Sequence, residues 1–274
     1  MEIHGVSDLI TNVLYGSGKR RGTSGRIFAV AFFGVLMFVW LRGGATLIAG
    51  PSARGAANGD LVKTLAAMRN VKSIQSAFLC EKKLQVLRKP FFSRGIITIA
   101  RPSRVRFATN WPYRSCYILN GRHIDMRNES NAHWRTSSVD SQPAIGIMLQ
   151  QFAAWSLGNT GKVGRKFQVS VQRANRPVPK DAPAGSVVNK KIRPALELFT
   201  LRPRGGVLQE AIREIQLGFA PSAGKEAAGQ QAGAKPLLYI RIVAKNGDQS
   251  MFWLRRTRLN PHLVPKLFEP VGPP

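Results

Sequence analysis

The clearest pattern in the chain is an alternation of apolar and polar positions that begins after residue 70 and returns, with interruptions, almost to the end. A period of two is typical of β-strands with one buried face. In the run Gly95 to Arg101, for example, Ile97 and Ile99 share one face, and Arg101 ends the same row. The pattern predicts strands at 74–84, 95–101, 105–109, 167–171, 196–203 and 215–219.

Two Asn-Gly pairs predict β-hairpins. Asn120-Gly121 and Asn246-Gly247 each separate two alternating runs. Because tight two-residue turns require positive φ, Asn and Gly are favoured at their centre. A strand is therefore predicted on each side of both pairs.

Two segments have a helical period instead. Asp60 is a candidate N-cap, and Leu61, Leu65 and Met68 follow at helical spacing, which predicts an amphipathic helix to about Asn70. Residues 143–157 are predicted to form a second, strongly apolar helix. Its apolar stripe contains Ile145, Met148, Leu149 and Phe152 and continues to Ser156.

The order of elements predicts a mainly β fold: one helix, about four strands, the apolar helix and about five more strands. A large antiparallel sheet must close on itself or be covered by helices to bury its inner face. We therefore expect an unclosed, strongly curved antiparallel β-barrel with helices covering an apolar cavity. The candidate inner-face residues are Ile74, Phe78, Ile97, Ile99, Val105, Phe107, Ile118, Leu217 and Phe219.

The N-terminal part has the pattern of an export signal. Residues 1–26 are basic, residues 27–41 are apolar and uncharged, and the apolar segment can extend to residue 49. This charge distribution places the N-terminus in the cytoplasm and the rest across the membrane, whether 27–49 is a cleaved signal or an anchor. Residues 50–59 are then a linker and 60–270 the exported domain. The Pro/Gly/Ala-rich stretches 176–186 and 221–236 are predicted to be long loops.

The formal net charge is +27 and the sequence pI is about 11.4. Such basicity favours an acidic partner, which can be a nucleic acid, an anionic membrane surface or an acidic ligand, although it is also compatible with a solvated basic surface. The basic residues are scattered, and export separates the protein from chromosomal DNA. We therefore expect the protein to interact with a membrane surface and not with nucleic acid.

The sequence gives little support for catalysis. None of the four histidines has a metal-like partner nearby, His123 and Asp125 fit a solvated hairpin, and no nucleophile or phosphate-loop motif is present. We expect no enzyme activity, no catalytic residue, no metal site and no cofactor. Cys80 and Cys116 would lie in an oxidising compartment, where they either form a disulfide or remain buried thiols.

Several motifs, in this order, resemble the LolA-type carriers of outer-membrane lipoproteins. The longest is L-x2-L-x-K-P-F-x-S-x-G-x-I-x-I-A-R-P-x3-R-F at 84–107, and it is followed by Trp111-Pro112 and by Ile-Leu-Asn-Gly at 118–121. Asn-Gly-Asp at 246–248 and NPHLVPKLFEP at 260–270 complete the resemblance. The family fold is an unclosed antiparallel barrel lidded by helices around a hydrophobic cavity for acyl chains.

The resemblance implies a role for Arg101. In the family, the arginine of the Arg-Pro pair lies at the barrel mouth and bonds to the lid in the closed state. Helix C-terminal carbonyls are suitable partners because they lack intrahelical donors. The alternative is that Arg101 lies at a strand end in water. The implied ligand and lid residues are Arg101, Ile97, Ile99, Phe107, Trp111, Ile145, Met148 and Phe152.

Two functions remain open at the level of the sequence. The first is a periplasmic carrier in a Gram-negative-type envelope that binds the acyl chains of lipoproteins or lipids; inner-membrane release machinery and an outer-membrane receptor are implied by the resemblance. The second is a membrane-tethered sensor or interaction module of the same fold that binds anionic lipid or a protein partner. Only the carrier requires a continuous apolar pocket.

Overall fold

The computed structural model describes residues 53–129, 131–141, 143–159, 166–175, 195–220 and 233–271. In this part of the chain, eleven antiparallel strands form one sheet. The strands are β1 (Ser73–Lys83), β2 (Phe91–Ala100), β3 (Arg104–Trp111), β4 (Ser115–Asn120), β5 (His123–Asn128), β6 (Asn131–Ser138), β7 (Phe167–Asn175), β8 (Ala195–Pro203), β9 (Ile212–Phe219), β10 (Leu237–Ala244) and β11 (Gln249–Leu259). The helices are α1 (Ala53–Ala66), α2 (Pro143–Ser156), α3 (Gly206–Ala211) and a 3-10 turn (Pro265–Phe268).

The sheet is unclosed. Its strand order is β6-β5-β4-β3-β2-β1-β11-β10-β9-β8-β7, so β6 and β7 form the two edges, and β1 and β11 pair in the middle. Eleven strands laid flat would span about 50 Å. Ile124 on β5 and Phe167 on β7 nevertheless belong to one apolar core with both long helices, so the sheet curls around them. This confirms the predicted fold class.

The inner face of the sheet is the face on which α1 and α2 pack. Leu61, Leu65 and Met68 are fully buried, as predicted from their spacing, and so are Leu149 and Phe152 of α2. On the sheet, the apolar residues at alternate positions of β1, β2 and β3 line the same core. Burial of these side chains is the main stabilising term for such an architecture.

The helix α1 begins earlier than expected. It starts at Ala53, so residues 53–59 of the expected linker are helical and Asp60 lies inside the helix rather than at its N-cap. The stretch ARGAANG is rich in alanine, which has the highest intrinsic helix propensity. Small residues that resemble a linker in sequence therefore extend the helix by two turns.

Six strands precede α2, where about four were expected. The strand that no pattern predicted is β6 at the sheet edge, which has no apolar alternation (NAHWRTSS) that could have revealed it. Both Asn-Gly hairpins are present. In the first, Asn120 pairs with His123, so Gly121 (φ 63°) and Arg122 are the central residues and the turn is shifted by one position.

The outer face of β3 and β4 is covered by the chain that follows β11, which we call the C-terminal strap (residues 261–271). Phe268 is buried in a small apolar cluster against Ala100, Cys116 and Ile118. The prediction that Ile118 faces inward is therefore wrong. Tyr117, Ile118 and Leu119 form a continuous apolar run. Without alternation between apolar and polar residues, the sequence does not show which of them face inward.

The strap also covers Arg104 and Arg106, which alternate with the buried Val105 and Phe107 along β3; the alternation alone predicts a solvated outer face for them. The Arg104 guanidinium lies 5.0 Å from the centre of the Phe268 ring, and Arg106 Nη1 donates to the Leu267 carbonyl at 3.3 Å. They do lie on the outer face, but they are half-buried under the strap.

Candidate functional site

The inner face of β2 and β3 brings together most of the residues that were predicted to bind ligand. Ile97, Ile99 and Phe107 are each at most 2% exposed. They pack in one core with Met148 and Phe152 of α2. The alternation of β2 and β3 places these side chains under the helix, because β2 pairs with β3 in register at Ile97–Phe107 and Ile99–Val105.

Aromatic rings fill the centre of this core. The rings of Phe78 and Phe107 are stacked at 4.5 Å, and Phe252 of β11 lies edge-on to both of them. Phe152 of α2 contacts Phe107 at 6.4 Å and Phe252 at 5.3 Å. The helix α2 therefore inserts one ring into an aromatic cluster on the sheet, and moving α2 outward would open an aromatic-lined space.

Arg101 links the ends of α1 and α2. It follows directly after β2, and its Nε donates to the Val71 carbonyl at 2.9 Å. Its Nη2 donates to the Arg69 carbonyl at 2.9 Å and to the Leu157 carbonyl at 2.6 Å. Arg69 and Val71 follow α1, and Leu157 follows α2, so a single guanidinium holds both helix ends to the rim of the sheet.

The residue Arg101 is exposed as a whole. The guanidinium is therefore not fully buried: water reaches the side chain, so its desolvation cost is small. Arg101 is also not simply solvated at a strand end, because three backbone carbonyls accept its hydrogen bonds. We call Arg101 and its three acceptor carbonyls the Arg101 latch.

The two helix ends also touch directly. A Cβ at Gly158 would lie 2.0 Å from the Leu65 carbonyl oxygen, so only glycine permits this approach. Gly158 has φ 73° and ends α2 in a left-handed cap, in which the Asn159 amide donates to the Ala154 carbonyl at 2.8 Å. The cap and the close approach place the Leu157 carbonyl within reach of Arg101.

One predicted ligand residue, Trp111, does not join this core. Trp111 lies on the outer face, where the Arg94 guanidinium is 5.3 Å from its ring centre. A β-bulge is the reason: Gly95 pairs with Thr109 but Arg94 pairs with Trp111, so Asn110 is an extra residue that reverses the side-chain parity. Ile145 lies in the first turn of α2, and its side chain is outside the described part.

The cysteines do not pair. Both are free and buried. Cys80 lies on the inner face of β1 and Cys116 on the outer face of β4, with β2 and β3 between them. Burial raises the pKa of the Cys80 thiol to about 12 and that of Cys116 to about 11, so both are inert thiols at neutral pH.

Several polar contacts of the covering helices could not be predicted from local patterns in the sequence. Thr64 of α1 donates to the Glu197 carboxylate of β8 at 3.3 Å, and Lys235 Nζ pairs with the same carboxylate at 2.9 Å. The Arg101 acceptors are backbone carbonyls, which every residue type has, so the sequence cannot mark them. These partners are brought together only by the fold, since Thr64 and Glu197 are 133 positions apart.

Among the described residues, no group of His, Cys, Asp and Glu side chains is arranged to hold a metal ion. No helix in those ranges is long and apolar enough to cross a membrane. The predicted segment 27–49 and most of the two predicted loops lie outside the described residues.

No protein-family model and no curated protein sequence matches the chain. Among solved structures, the chain is similar to LprF from Mycobacterium bovis, with 15% identity and a TM-score of 0.44 over 81% of this chain and 100% of that one. It is also similar to a LolA superfamily protein from Nitrosomonas europaea, with 12% identity and a TM-score of 0.38 over 77% of this chain and 96% of that one. The MucA/MucB complex structure from Pseudomonas aeruginosa gives 14% identity and a TM-score of 0.36 over 79% and 61%. At these values, any function has to be argued from the residues of this chain.

Proposed function

We propose that this protein is a non-enzymatic carrier that holds the acyl chains of lipoproteins or lipids between the inner face of the sheet and the helices α1 and α2. The observation that supports this most is the Arg101 latch. A plain core needs no exposed arginine that bonds to both covering helices at once. A lid that must open and close does need a bond of this kind, because water can replace it at small cost.

The energetics favour exchange between lid contacts and ligand. Each methylene transferred from water into the core contributes about 0.8 kcal/mol. Ligand entry would separate Phe152 from Phe107 and Phe252, and would break the Arg101 bonds to the helix ends. An acyl chain of ordinary length can offset these losses, whereas a short one cannot.

The proposed location is the periplasm of a Gram-negative-type envelope. The protein would be soluble there after cleavage, or tethered to the inner membrane by residues 27–49. Release machinery at the inner membrane and a receptor at the outer membrane are the partners that such a carrier requires.

A second candidate function is a sensor or interaction module that uses its outer face. Arg258 of β11 is exposed on that face, and Arg255 lies in the next cross-strand row. Guanidinium groups arranged in this way favour anionic lipid or an acidic partner. This function needs no acyl ligand in the core.

Arg101→Leu tests the carrier. The three carbonyls lose their donor, so the helices should open more easily, and amide hydrogen exchange of α1 and α2 should become faster. A fluorescent acyl probe should bind more tightly and transfer to acceptor vesicles more slowly. Arg101→Lys should fall between wild type and Arg101→Leu, because an ammonium cannot match the fork geometry of the guanidinium.

Arg106→Leu is the matched control, because it removes an arginine from the opposite face of the same hairpin. It should leave exchange in α1 and α2, and acyl transfer, unchanged. Equal behaviour of Arg101→Leu and Arg106→Leu would remove the latch from the mechanism. Failure of the wild type to bind any acyl probe would favour the sensor module instead.

A further inference from the structure

The inner face of the sheet is not apolar throughout. Thr109, Ser115 and Asn128 lie side by side on β3, β4 and β5, in direct cross-strand register. They follow, by one step of the alternation, the apolar row Phe107–Tyr117–Met126, which packs in the main core. We call these three residues the polar row.

Each member of the polar row has a buried oxygen that lacks a hydrogen-bond partner among the described residues. These atoms are Thr109 Oγ1, Ser115 Oγ and Asn128 Oδ1. Thr109 is 2% exposed and Ser115 4% exposed, so bulk water does not reach them. Buried polar groups are almost always satisfied, and three unsatisfied ones side by side indicate a missing partner.

The polar row has a defined place relative to the latch. Thr109 pairs with Gly95, which lies six residues before Arg101 along β2. This corresponds to about 20 Å of extended chain, which is comparable to the length of an acyl chain. Gly95 has no side chain over this position, since a Cβ there would lie 1.9 Å from the Ala108 carbonyl oxygen.

We propose that the polar row binds the ester or hydroxyl groups at the head of a glyceryl-linked acyl ligand, while the hydrocarbon lies along the apolar core. The two hydroxyls can donate to an ester carbonyl, and Asn128 Oδ1 can accept from a glyceryl hydroxyl. The three groups are uncharged, which suits a neutral linkage. This inference rests on the proposed carrier function and names its ligand class.

The test compares ligands on the full-length protein, by displacement of the fluorescent probe N-phenyl-1-naphthylamine. The ligands are a diacylglycerol, a synthetic diacylglyceryl lipopeptide, and a hydrocarbon of the same chain length. The variant Thr109→Val/Ser115→Ala should reduce the affinity for both glyceryl ligands about tenfold relative to the hydrocarbon, because two hydrogen bonds are lost. The affinities of the wild type for the diacylglycerol and for the lipopeptide are also compared with each other. Tighter binding of the first indicates a free lipid as ligand, and tighter binding of the second indicates a lipoprotein anchor.

A second measurement excludes a purely structural role. Removing unsatisfied hydroxyls relieves a desolvation cost, so the ligand-free variant should melt about 2–4 °C higher than wild type. Thr98→Val is the control: it is also buried, lies on the outer face, and its hydroxyl accepts from Gln75 Nε2 at 3.4 Å. This control should leave the glyceryl-to-hydrocarbon affinity ratio unchanged, and it should not raise the melting temperature.

The outcomes are distinguishable. If every ligand binds and the glyceryl-to-hydrocarbon ratio stays the same in the variant, the polar row does not recognise the linkage, and the inference is overturned. A melting temperature that falls would show that the hydroxyls are satisfied in the empty protein, and would also overturn it. If no acyl ligand binds the wild type, the carrier function itself fails along with the inference.

Discussion

At the scale of single residues, burial dominates the chemistry of the two cysteines. Cys80 and Cys116 lie on opposite faces of the sheet, Cys80 in the main core and Cys116 in the small cluster that contains Phe268 of the strap. Burial disfavours the thiolate and raises both pKa values. Their chemistry is therefore that of core side chains in spite of the expected oxidising compartment.

We predict that neither thiol of the native protein reacts with iodoacetamide at pH 8. The thiolate is the reactive form, and pKa values of about 12 and 11 leave almost none of it. Intact-mass measurement after alkylation should show no adduct on the folded protein and two adducts after unfolding in denaturant. A mass lower by two hydrogens in the unreduced protein would show instead that a disulfide forms.

The same shifts predict a pH dependence of stability. An unfolded thiol has a pKa near 9, so above pH 9 the unfolded state loses protons that folded Cys116 still retains, and the free energy of unfolding falls. By pH 10, Cys116 should contribute a loss of about 1 kcal/mol. Lys82, whose pKa is lowered by burial, acts in the opposite direction over part of this range.

Comparing wild type with Cys116→Ala in denaturant titrations at pH 8, 9 and 10 therefore isolates the effect of the thiol. The difference in unfolding free energy between the two proteins should change with pH. A constant difference would mean that Cys116 titrates normally in the folded protein.

At the scale of elements, the lid depends on the contact between the ends of α1 and α2. Gly158→Ala should force the ends apart, because its Cβ would overlap the Leu65 carbonyl oxygen. Gly121→Ala is a matched control, since Gly121 also has positive φ, at 63°, but a Cβ there meets open space. Both variants carry the backbone strain, of the order of 1 kcal/mol, and only Gly158→Ala carries the clash.

We predict that Gly158→Ala lowers the melting temperature more than Gly121→Ala does, and accelerates amide exchange in α1 and α2. Hydrogen exchange read by mass spectrometry would locate the change. If the two variants were equal in both measurements, the helix contact would have no part in holding the lid closed.

Much of this layout could be predicted from the sequence, because periodicity reports local burial. Leu61, Leu65 and Met68 revealed α1, and the alternation around Ile97, Ile99 and Phe107 revealed the inner face. Trp111 was misplaced because the parity change arises from an extra residue in the pairing of two strands, which no local pattern records. The polar row could not be predicted for a related reason: Thr109, Ser115 and Asn128 become neighbours only through the register of three strands.

At the scale of the whole molecule, the prediction that remains is export. A reporter enzyme that is active only outside the cytoplasm should be active when fused after residue 52, just before α1 begins at Ala53. The positive residues before the apolar segment 27–41 would retain the N-terminus inside. Activity from a reporter that works only in the cytoplasm, fused at the same site, would contradict both the periplasmic carrier and the tethered module.

The pairing of β1 with β11 has a consequence for how the chain folds. Lys83 pairs with Gln249, although the two residues are 166 positions apart, while every other neighbouring pair of strands in the described sheet is consecutive in sequence. The strands before α2 and those after it can therefore form as two separate meanders, through local contacts alone. Pairing β1 with β11 requires closure of a very long loop, so we expect this pairing step to limit the folding rate. Until the last strand is synthesised, two sheet edges stay open at what becomes the centre of the sheet, and a nascent chain of this kind would need protection from edge-to-edge aggregation along the proposed export route.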